Sequence, residues 1–174
     1  MSVFLALAQE HGLMLKLVGR LERGVSDPDA RAAAQETRSI LLVLLKALEE
    51  HERLEHLLFD RILEPPSLLA RKALVLVEGQ HRLLAALREE AVVLLRDGPV
   101  EGCATLRTLV HRLARLLRRH FEDEERGLWP SFNAFATRST LSSLDRLARA
   151  QVREMARELD RYGAEVADYL TGDR

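Results

Sequence analysis

Residues 40–62 read ILLVLLKALEEHERLEHLLFDRI. Apolar side chains recur at three- and four-residue spacing, as Leu41, Leu44/Leu45, Leu48, Leu58/Phe59 and Ile62. That is the period of a helix burying one face. His51 and Glu55 stand on the same face, at consecutive positions where leucine is expected. A second stretch repeats the pattern: Leu106, Leu109/Val110, Leu113 and Leu116/Leu117 are followed by His120, Glu124 and Leu128. Two further stripes carry a single histidine each. One reads Phe4, Leu7/Ala8, His11, Leu15, Val18; the other reads Leu74, Val77, His81, Leu84, Ala91, Leu95.

Burying such groups without partners is costly. One metal centre that takes all six as ligands accounts for them together, with imidazole nitrogens and carboxylate oxygens converging in a bundle core. The spacing adds a second reason. His11 to His51 spans 40 residues and His81 to His120 spans 39, so "His, then His-x-x-x-Glu" occurs twice. This looks like an internal duplication of a helix pair. A pseudo-twofold axis through the bundle would set Glu55 and Glu124 facing each other, ready to bridge two metals.

Outward from these stripes, prolines mark the junctions. Pro28, Pro65–Pro66, Pro99 and Pro130 divide the chain into five segments, each with the helix period and none with strand alternation. Helices are expected over about 2–23, 30–62, 67–97, 100–127 and 139–170, with Ser139 or Thr140 capping the last. Short connections make the first four antiparallel neighbours. The expected fold is all-α: an up-down-up-down four-helix bundle with an additional C-terminal helix. The bundle takes residues 1–134. Residues 135–174 form an amphipathic helix (Leu141, Leu144, Ala148, Met155, Leu159, Tyr162, Val166, Leu170) packed on the bundle or on a partner. Matching the levels of His11 and His51, at ~1.5 Å of rise per residue, predicts a first loop that runs on to about residue 33.

Composition narrows the function. The chain has 174 residues, 47% of them hydrophobic, enough for a sizeable core. A net charge of −1 and 5% aromatics argue against a dedicated nucleic-acid binder. Cys103 is the single cysteine, which excludes an internal disulfide and any thiolate zinc site, and it reads as a small buried residue. The longest aliphatic run, Ile40 to Leu45, is far short of the ~20 residues of a membrane span. A soluble, cytoplasmic protein is expected, with no nucleic-acid or membrane partner.

The remaining histidines have plainer readings. His56 with Asp60 lies about 140° from the inward face and reads as a solvated pair. His111 lies opposite His120 among Arg107, Arg112 and Arg115 and reads as exterior; that basic face, with Arg118 and Arg119, is solvated or meets an acidic partner. A ferritin-like dimetal bundle needs Glu-x-x-His on two helices, and only Glu78-x-x-His81 fits.

The chain resembles the hemerythrin-like, or HHE cation-binding, family of non-haem di-iron bundles. Glu10-His11, HERLEHLLF at 51–59, His81 and HFEDEERGLWP at 120–130 carry the resemblance, over about residues 4–132. It implies two iron ions, oxo- or hydroxo-bridged, with manganese or zinc as substitutes. It implies His11, His51, His81 and His120 as terminal ligands and Glu55 and Glu124 as bridges. The respiratory members have a further histidine where this chain has Ala85; some members use a glutamate directly after the second-helix histidine, and Glu52 occupies that position. Two octahedral irons offer about twelve positions, and this set with a bridge and Glu52 leaves about one open. Dioxygen, nitric oxide or peroxide would bind there. Glu125 is a second-choice ligand by its angle from His120.

Three roles are consistent with such a site. One is a protein that binds or senses dioxygen or a related small molecule. Another is a di-iron oxidase or peroxidase. The third is an iron-responsive regulatory or iron-handling protein, in which the C-terminal helix engages a protein partner or a second copy. The sequence offers no dedicated proton shuttle or substrate groove, which favours binding or sensing over catalysis.

Overall fold

The computed structural model describes residues 3–26, 30–61, 68–97, 104–134 and 137–171. Among them every extended element is helical and there is no strand. The long helices are α1 (Val3–Gly24), α2 (Ala30–Arg61), α3 (Leu68–Asp97) and α4 (Ala104–Asp123). A π-helical turn (Glu124–Leu128) leads into the short α5 (Trp129–Asn133), and α6 (Arg138–Thr171) follows. The fold is all-α, with α1–α4 as an up-down-up-down bundle. The junction prolines 28, 65, 66 and 99, and Cys103, lie outside the described residues.

Apolar residues form two clusters rather than one. Met14, Leu17, Leu21, Leu44, Leu48, Leu84, Leu113 and Leu117 belong to the first, and Phe4, Leu7, Leu54, Leu58, Val77, Leu128 and Trp129 to the second. In all four bundle helices a polar group falls between them. Glu10 and His11 lie between Leu7 and Met14, Gln80 and His81 between Val77 and Leu84, and all four are buried. Burying a leucine fully is worth about 1.5–3 kcal/mol, so the two clusters supply the stability that carries a polar layer across the bundle.

The α1–α2 register corrects one expectation. α2 begins at Ala30, so the first loop does not extend to residue 33. Gly24 lies against Thr37, where a Cβ would stand 2.4 Å from the Thr37 hydroxyl oxygen. Gly24 is as far along the chain from His11 as Thr37 is from His51, within one residue, so the two histidines share a level. The residues of α2 before Thr37 run on past the level of Gly24. Met14, not Leu15, takes the fully buried position of α1.

The end of the fourth helix also differs from expectation. The helical course does not stop at Gly127 but continues through the π-turn and α5 to Asn133. Pro130 has no N–H and would clash with an upstream carbonyl inside a regular α-helix. The wider π-turn just before it, closed by the Trp129 amide donating to the Glu124 carbonyl, puts Pro130 in the first turn of α5, where no donor is needed.

α6 starts at Arg138, one residue ahead of the earlier of the two expected caps. It packs on α1 and α2. Leu144 and Ala148 join one apolar cluster and Met155 the other. The side chains of Leu159, Tyr162, Val166 and Leu170 lie outside the described residues. No described helix is long and apolar enough to cross a membrane.

Candidate metal centre

Each bundle helix delivers its histidine into the polar layer. The rings of His11 and His51 meet edge-on with centroids 4.7 Å apart. Those of His81 and His120 do the same at 4.8 Å. The two pairs thus match in ring geometry.

Glu124 sits between the pairs. Its Oε1 is 3.2 Å from His120 Nε2 and 3.7 Å from His81 Nε2. Its Oε2 is 3.3 Å from His11 Nε2 and 4.0 Å from His51 Nε2. Glu55 Oε2 lies 3.3 Å from His81 Nε2 and 3.7 Å from His51 Nε2, while its Oε1 accepts the Trp129 indole N–H at 3.2 Å. The donors fall into two groups, His11–His51–Glu124 and Glu55–His81–His120–Glu124, within each of which the atoms lie within 4.8 Å of one another. Glu124 is common to both.

The outer nitrogens show which residues aim the rings. Glu10 Oε2 accepts from His51 Nδ1 at 2.8 Å, with both side chains fully buried. Gln80 Oε1 faces His120 Nδ1 at 3.2 Å, and the Gln80 amide donates to Asp123 at 2.7 Å. Glu125 Oε1 accepts from His11 Nδ1 at 2.8 Å. An imidazole that donates through Nδ1 turns its Nε2 lone pair to the centre. Phe121 stacks on His11 at 3.7 Å and Trp129 at 4.8 Å, which walls off that side from water.

Helix periodicity alone gives Glu10 and Gln80 no role; their one signal is that each directly precedes the lone histidine of its half. Glu125, a second-choice ligand by its angle, holds the far nitrogen of His11. Glu52 is buried but belongs to neither donor group; its Oε2 accepts from Arg88 at 2.7 Å. One residue past His51 it has turned about 100° around α2, toward α3. Ala85 lines a groove with Leu45, Glu49 and Arg88. His56 is exposed as expected, but its ring also stands edge-on to His81 at 5.2 Å. His111 is exposed, and the arginines beside it are largely engaged: Arg112 with Glu90, Arg118 with Glu22, Arg119 with Asp123.

Electrostatics in the layer are strained. Burial and the facing Glu124 charge push the Glu55 pKa up to about 7. Burial would raise Glu124 too, but the imidazoles of His11, His51, His81 and His120 gathered around it overcome that and hold Glu124 well below its usual range. Burial opposes protonation of His81, yet Glu124 and Glu55 raise it to about 9. His51 is likewise raised well above its usual value, Glu55, Glu10 and Glu124 outweighing burial. His120 is lowered to about 3 by burial, against the pull of Glu124 and with the repulsion of the other three histidines.

These residues fit a cation. Glu55 Oε2, both nitrogens of His81, His120 Nε2 and both Glu124 oxygens are buried without a hydrogen-bond partner. Each such group costs about 1–3 kcal/mol if left unmatched. His11 Nε2 and His51 Nε2 are 3.0 Å apart, and two lone pairs so close repel unless a proton or a cation lies between them. Imidazole with carboxylate suits iron, manganese or zinc.

A family model, described as the hemerythrin HHE cation binding domain, matches residues 72–172, more than half of the chain. The matched stretch contains the second occurrence of the repeat, His81, His120 and Glu124, and runs on through α6. His11, His51, Glu52 and Glu55 precede it. No curated protein and no solved structure matches the chain.

Proposed function

The chain belongs to the hemerythrin HHE cation-binding family, and on that premise we propose that it is a non-haem di-iron protein that binds or senses dioxygen or a related small diatomic molecule. The observation that carries this reading is the convergence, from four helices, of buried imidazole and carboxylate atoms with no other partner. His11, His51 and Glu124 would hold one ion, and Glu55, His81, His120 and Glu124 the other. Bound iron supplies reversible redox chemistry toward a diatomic ligand.

The protein's own residues do the rest. Glu10 and Glu125 orient His51 and His11. The Trp129 indole N–H fixes one oxygen of Glu55 and leaves the other to the centre. Phe121, Trp129, Leu54, Leu58 and Leu128 keep bulk water out. Glu52 is committed to Arg88, so the reading does not need it as a ligand, and the two donor groups with a bridging oxygen would leave about three positions open.

A regulatory reading has one observation in its favour. Leu144 and Ala148 of α6 sit in the same apolar cluster as Trp129, whose indole touches His11 and Glu55. A change at the site thus has a packed route to the C-terminal helix.

The primary test is metal content after anaerobic purification, followed by absorption spectra as air is admitted. About two irons per chain, with a charge-transfer band that appears in air and is lost on deoxygenation, is the expected result. A folded chain that binds no transition metal would refute the reading.

A further inference from the structure

The two halves of the centre match in ring geometry but not in what stands behind the rings. Behind His51 is the fully buried carboxylate of Glu10, and behind His11 the carboxylate of Glu125, each at 2.8 Å. Behind His120 is only the neutral amide oxygen of Gln80, at 3.2 Å. His81 Nδ1 has no hydrogen-bond partner. His11 is also clamped between the Phe121 and Trp129 rings, whereas the exposed His56 stands beside His81. His81 is 5% exposed, the most open of the four.

We infer that the two metal positions are unequal: the His11–His51 position holds its ion tightly and exchanges it slowly, and the His81–His120 position exchanges first. This rests on the metal-binding reading above. A carboxylate behind an imidazole raises its basicity and fixes its orientation, and losing such a partner typically costs about 10–100-fold in metal affinity. For an ion to leave, its ligands must swing away. The two anchored rings, His11 clamped as well, resist that motion, while His81 has neither anchor nor clamp and faces the open side.

The larger number of carboxylates in the His81–His120 group does not reverse the order. Glu124 serves both groups, and the free oxygen of Glu55 lies 3.3 Å from His81 and 3.7 Å from His51, nearly shared. What differs sharply between the halves is the outer partner. Glu10 and Glu125 are therefore positioning residues for one half, and Gln80 is the weaker counterpart of Glu10 in the other.

The test uses the full chain loaded with two equivalents of zinc and challenged with a chromogenic chelator. Two release phases of equal amplitude are expected, at least about tenfold apart in rate. Glu10→Gln should accelerate the slow phase by about 10–100-fold and leave the fast phase unchanged. The reverse exchange, Gln80→Glu with Asp123→Asn to keep a donor opposite the new carboxylate, should slow the fast phase by a similar factor. Glu125→Gln, at a residue 44% exposed, tests the same half if the buried Glu10 variant does not fold. A single release phase for both ions in the unsubstituted chain would overturn the inference, as would a Glu10→Gln or Glu125→Gln effect confined to the fast phase. Failure of the folded chain to take up zinc or iron at all would instead overturn the metal-binding reading beneath it.

Discussion

Replacing Glu124 by glutamine keeps the shape of the side chain and removes one negative charge. Its two oxygens lie 3.2–4.0 Å from the Nε2 atoms of all four inward histidines, so the change reaches both metal positions at once. Loss of an outer partner alone costs about 10–100-fold in metal affinity, so loss of a ligand shared by both positions should cost at least about 100-fold at each. The chain should fall from about two metals to below one after reconstitution and desalting. His51→Ala strips a ligand from one group only and should leave about one. The assay is metal content by mass spectrometry, with titration of metal into stripped protein for affinity. Circular dichroism checks that the stripped variant is folded, as its isosteric side chain predicts. Two metals per chain with unchanged affinity in folded Glu124→Gln would refute the placement of this carboxylate at the centre.

Protons compete for the same atoms: His81, raised to about 9, and Glu55, raised to about 7, must lose theirs to ligate. Metal affinity should therefore rise as pH increases from 7 to 9, by up to about tenfold per unit for each proton displaced, and calorimetry in buffers of different ionisation enthalpy should register proton release. In stripped protein the raised His81 and Glu55 contribute stability that is lost as pH rises to about 9 and about 7, whereas the lowered His120 and Glu124 lose theirs as pH falls; the net decline should therefore run upward from near neutral pH to about 9, and bound metal suppresses it. Gly24→Ala would place a methyl 2.4 Å from the Thr37 hydroxyl oxygen, at a side chain only 3% exposed; it should cost about 1–3 kcal/mol in denaturant unfolding, most of it recovered by adding Thr37→Ala. If site and C-terminal helix are coupled, metal should slow proteolysis within α6; identical cleavage with and without metal would remove the basis of the regulatory reading.

The polar interruptions of the stripes were legible because helix periodicity is a local property. Once Leu41–Leu48 and Leu106–Leu117 define buried faces, His51, Glu55, His120 and Glu124 must point inward, whatever the rest of the chain does. Duplicate spacing extended this to His11 and His81 and implied the facing carboxylates. Helix boundaries next to prolines followed from the chemistry of a missing N–H, except at Pro130. There a single π-turn, which has no composition signal of its own, let the helix continue.

What the sequence by itself determined is the all-α class, the four inward histidines and the two inward carboxylates, since these depend on period and spacing. What only the tertiary structure decided is the set of partners across helices. Glu10 meets His51, Glu125 meets His11, Arg88 takes Glu52, and Gly24 admits Thr37. Apart from the Gln80–Asp123 bond to its own turn of α4, even the support of His120 comes from another helix. Such pairings depend on how far one helix slides and rotates against its neighbour. A shift of one residue turns a side chain by about 100°, and the chain's own pattern carries no record of that choice until the helices pack.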